Sequence, residues 1–100
     1  MEYTEKEVEN NFIEHIKSRI EHIDGYKDKT SREKLELLAF SILVIIDGED
    51  GDLPAFVLAP DPHKEDKEYN VRQNEKYYPE NYKSNVNCNI SGALHHLMKD

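Results

Sequence analysis

Histidine, aspartate and one cysteine are among the residue types in this chain that could hold a metal or attack a carbonyl. His95 and His96 adjoin. Adjacent residues on a helix point about 100° apart, so the two do not chelate one ion as a pair. A metal centre would need one of them to meet His63, Asp61 or Asp66 through the fold. Zinc takes three or four such ligands, and a hydrolytic site leaves one position open for water. No spacing fixes that meeting, so His63, Asp61 and His95 (or His96) stand as metal candidates only. The simpler expectation is that one histidine packs, the other is exposed, and no metal or other cofactor is held. His15 and His22, flanked by Glu14 and Glu21, read as surface residues of a helix.

The acidic stretch Asp47-Gly48-Glu49-Asp50-Gly51-Asp52 invites a calcium reading. An EF-hand loop places oxygen ligands at positions one, three and five, glycine at six and glutamate at twelve. Counted from Asp47, those last three positions hold Gly51, Asp52 and Leu58, so the motif fails. A cation site of another geometry is the alternative to a solvated helix-to-strand turn, which is the expected outcome.

Cys88 with His95 or His96 as base, or Ser91 at a helix start, would be a nucleophile only with an oxyanion hole beside it. Cys88 shares the apolar phase of Val86 and Ile90, which predicts a buried structural thiol instead. No glycine spacing suits a phosphate cradle. Tyr69, Tyr77, Tyr78 and Tyr82 crowd into a polar segment. Tyrosine joins a large ring to a polar tip, so these four either staple the segment to the core or face a partner.

The elements that must position these residues are few. Leu35–Ile46, LELLAFSILVII, is apolar at all but Glu36 and Ser41, in a chain that is only 37% hydrophobic. Thr30 and Glu33 form a capping box before it and Gly48 follows it, predicting a helix over 31–47 in preference to a buried strand at 40–46. Thr4 and Glu7 repeat the box, and Val8, Phe12, Ile16, Ile20 and Ile23 make one apolar stripe of a helix over 4–24. Gly25 then reads as its left-handed cap. Residues 53–59 read as a strand bracketed by Pro54 and Pro60, and 85–90 alternate as a second strand. A last helix is expected over 92–99, capped by Ser91, and 61–84 as irregular. The predicted fold is α+β, one domain: a helical hairpin on a small antiparallel sheet with a C-terminal helix.

LAFSILVIIDG at 38–48, LPAFVLAPDPH at 53–63 and NISGALHHLM at 89–98 resemble a family of small uncharacterised bacterial proteins, some associated with prophages. That resemblance implies one compact bacterial domain and assigns no activity and no site residue.

A formal charge of −8 opposes phosphate-backbone binding, and no basic run offsets it. One cysteine excludes an intrachain disulfide and a cysteine zinc site. The first residues lack a secretory pattern, and the apolar run is about half a membrane span, so a cytoplasmic protein is expected. Asn89-Ile90-Ser91 is then a chance sequon. The favoured function is a small acidic, non-catalytic interaction protein with an unknown protein partner, without nucleic acid or membrane. A metal-binding protein or metal-dependent enzyme using His63 with His95 or His96 is the alternative, and an acidic mimic of nucleic acid a third. Leu35–Ile46 needs cover on every side, and the remaining apolar elements are too few to provide it, which predicts a homodimer.

Overall fold

The computed structural model describes residues 1–81 and 85–99, and among them it holds four helices and no strand. These are α1 (Glu5–Asp24), α2 (Ser31–Ile46), α3 (Asp66–Arg72) and α4 (Leu94–Leu97). Two compact units divide the chain, Met1–Phe56 with Cys88–Asp100 and Val57–Asn87. No helix among the described residues is long and apolar enough to cross a membrane.

The first unit is built on the α1–α2 hairpin. Both helices start as their sequences dictate: Thr4 and Thr30 accept from the backbone N–H of Glu7 and Glu33, whose carboxylates accept in return from the cap N–H. Each reciprocal pair satisfies two backbone donors that the first turn leaves unbonded. Phe12, Ile13 and Ile16 of α1 pack against Ile45 of α2, which is completely buried. Ile42, Ile46, Leu53, Phe56, Ile90 and the α4 residues Leu94 and Leu97 close around this centre. The Phe12 and Phe56 rings meet edge to face at 4.9 Å.

The two helix ends differ from the expectation. Gly25 closes α1 in the right-handed region (φ −71°), so no left-handed cap is used there. The left-handed glycine is Gly48, at φ +76°. Its N–H donates to the Ile45 carbonyl and that of Glu49 to Val44, the paired bonds of a Schellman end to α2.

The α+β expectation fails at both proposed strands. Pro54 and Pro60 have no N–H to offer a ladder, and the Phe56 N–H is taken by the Ile46 carbonyl at 2.8 Å. Residues 53–59 therefore continue the α2 end as an irregular flap, with Val57 and Leu58 left 89% and 79% exposed instead of half-buried on a sheet. In 85–90, Asn89 turns its side-chain oxygen onto the N–H and hydroxyl of Ser91 at 3.0 and 2.6 Å. Asparagine here bonds its own backbone and makes a turn, which outweighs the period-two pattern. Ser91 thus caps nothing, and the last helix shrinks to the four residues of α4. Cys88, expected to be buried, is exposed.

The second unit holds one short helix where the sequence suggested none. At its start the His63 N–H donates to the Asp66 carboxylate, and Nδ1 of His63 accepts from the Glu65 N–H. Asn74, at φ +57°, ends α3 as Gly48 ends α2, with Glu75 N–H on Asn70 and Asn74 N–H on Val71. No residue of α3 is buried. Polar contacts such as Asn81 Nδ2 on the Pro60 carbonyl hold this unit instead of a core.

Candidate functional site

Two features of the first unit could carry function: an apolar face of α2 and a cluster at its end. The face arises because α2 is apolar around its circumference while α1 covers one side of it. Leu35, Phe40 and Leu43 are 66%, 63% and 56% exposed, and Ala39 is exposed among them. Leu35, Ala39 and Leu43 follow at i, i+4 and i+8, which stacks them in one row along the helix. Arg32 and Glu36, paired at 2.8 Å, lie at the N-terminal end of this face and cancel each other's charge. Open clefts flank the helix on either side. One, of about 340 Å³, lies between Ile20, Ile23, Leu35 and Leu38. The other, of about 290 Å³, runs past Leu37, Phe40 and Val44 to Arg19 and Asp50.

The cluster joins residues far apart in sequence. His15 on α1 is half-buried, and its Nδ1 sits 2.8 Å from the Asn11 carbonyl. A carbonyl only accepts, so Nδ1 carries a proton and donates it, and Nε2 faces outward. That nitrogen lies 3.7 Å from Oδ2 of Asp52. Asp50 is held by the turn itself, its Oδ1 accepting from the N–H groups of Asp52 and Leu53 at 3.1 and 3.2 Å. Its Oδ2 is buried and has no hydrogen-bond partner among the described residues. Burial works against ionising this carboxyl, yet those two backbone donors, with His15 and Arg19 nearby, outweigh it and hold the group below its ordinary range. One ligand atom each from His15, Asp50 and Asp52 lies within 4.8 Å of the others.

The residues singled out from sequence play local roles. His63 and Asp66 build the start of α3, and Asp61 is an exposed residue of the same unit. His95 and His96, both exposed, stack their rings at 4.0 Å on α4 of the other unit. Tyr69, Tyr77 and Tyr78 are 55%, 46% and 73% exposed, with Lys67 over the Tyr77 ring at 5.4 Å. Tyr82 lies outside the described residues. Among the described residues, His15, read as a surface residue, is the histidine whose ring lies beside two carboxylates, Asp50 and Asp52 of the turn that fails as an EF-hand.

No protein-family model matches the chain, and no curated protein or solved structure matches it either.

Proposed function

We propose that this chain is a small acidic interaction protein without catalysis of its own, and that a second copy of the chain seats on its α2 face. The observation that carries this reading is the exposed row of Leu35, Ala39 and Leu43 with Phe40 beside it. Ala39, at the middle of the row, lets a second helix backbone approach closely. The Arg32–Glu36 pair leaves no net charge on the face, so identical faces do not repel there. A two-fold pairing would bury the same row on both copies, as a self-complementary interface requires.

Magnitudes set the strength of that pairing. Burying the exposed parts of Leu35, Phe40 and Leu43 on both copies returns roughly 10 kcal/mol. Association costs about 4–15 kcal/mol in lost freedom. The balance favours a reversible, concentration-dependent dimer over an obligate one. Cross-linking tests where the copies touch. In a Cys88→Ser chain, Ala39→Cys should give a covalent dimer with a short bis-maleimide, whereas Glu14→Cys, on exposed α1 surface, should not. Equal yields from the two positions, or none from position 39, would overturn the pairing.

A further inference from the structure

We propose that His15, Asp50 and Asp52 form a binding site for a divalent transition-metal cation, a site independent of α2 pairing. Three observations meet here. One ring nitrogen and two carboxylates supply ligand atoms within 4.8 Å of one another. Tetrahedral zinc needs them about 3.3 Å apart. Asp52, whose side chain is 76% exposed, is free of packing and closes that gap by a rotamer change. The second observation is the His15 ring. Metal-bound histidines characteristically donate their other N–H to a carbonyl or carboxylate, which fixes the ring and directs the free lone pair at the ion. The Asn11 carbonyl, 2.8 Å from Nδ1, does this.

The third observation is Asp50. Its Oδ1 is fully engaged by two backbone donors, which fix the carboxylate in place. Its Oδ2, buried and without a donor among the described residues, is an unsatisfied acceptor of the kind that a bound ion completes. Arg19 stands near this carboxylate and limits the affinity, because its charge opposes a cation's. Imidazole with two carboxylates suits zinc, manganese, iron or nickel better than calcium or magnesium, which prefer oxygen alone. Three protein ligands leave a position for water.

Calorimetric titration with Zn²⁺ tests the site, using the Cys88→Ser chain so that no thiol competes. One equivalent should bind, and magnesium should not displace it. Asp52→Asn, at an exposed position that leaves the fold intact, should weaken binding by about tenfold or more. His15→Ala should do the same, with helicity by circular dichroism confirming that it folds. His63→Ala and a His95→Ala/His96→Ala double variant should bind as the parent does, and Leu43→Glu should too, separating this site from pairing. Binding that survives both Asp52→Asn and His15→Ala, or that is lost with His63 or with the His95–His96 pair, would overturn the proposal. So would the absence of any heat of binding with Zn²⁺.

Discussion

Gly48 and Ala55 touch backbone to backbone: a Cβ placed on Gly48 would stand 2.6 Å from the Ala55 nitrogen and 2.8 Å from its Cα. The contact lets the chain leave α2, turn through the acidic stretch and return Phe56 to the core. Gly48 also needs its positive φ, which a side chain resists. Gly48→Ala should therefore cost about 2 kcal/mol or more, from the left-handed backbone plus the clash. Urea unfolding measures it. Gly51 has the same sign of φ but nothing within 4 Å, so Gly51→Ala should cost less.

Two nearby residues on α2 should differ sharply in their response to truncation. Ile45 is completely buried at the centre of the core, and Ile45→Ala should cost about 2–5 kcal/mol. Leu43, two residues away, is 56% exposed. Leu43→Ala should leave the unfolding free energy of the dilute chain within about 1 kcal/mol of the parent. Denaturant midpoints compared at low protein concentration read this directly.

The caps predict a pH dependence. The Glu33 carboxyl lies below its ordinary value of 4.5 because the Thr30 backbone N–H and then its hydroxyl bond it, and Glu7 is lowered by Thr4 in the same way. A group whose folded pKa is depressed stabilises fully above its unfolded value, and loses that contribution as pH falls through the folded one. Exchanging charge for an amide in Glu7→Gln/Glu33→Gln should lower the melting temperature at pH 7. The difference from the parent should be complete well above pH 4.5 and shrink as pH falls below that value. Comparing the two chains at each pH cancels the general effect of neutralising the other carboxylates.

What was legible in the sequence was local. The boxes at Thr4–Glu7 and Thr30–Glu33 and the stripe from Val8 to Ile23 each need only a few neighbouring residues, and they place α1 and α2 almost to the residue. The strands failed because a strand is decided by its partner. Residues 53–59 look extended, but the Leu53 N–H goes to the Asp50 carboxylate and the Phe56 N–H to Ile46, and Asn89 satisfies Ser91 before any ladder forms. α3 was hidden because it lacks an apolar stripe and starts on His63 and Asp66 instead of serine or threonine. The His15–Asp52 contact had no local signature at all, since it depends on how α1 and the α2 turn come together.

Sedimentation reads pairing through α2 without a label or a cross-linker. At micromolar concentration and about 0.15 M salt, charges beyond about 8 Å are screened and the apolar face acts alone. The parent chain should sediment with a mass that rises with concentration from 11.7 kDa towards twice that value. Leu43→Glu should stay at the monomer mass throughout. A parent chain that remains a single monomeric species across that range, or a Leu43→Glu chain that pairs as the parent does, would rule out pairing through α2.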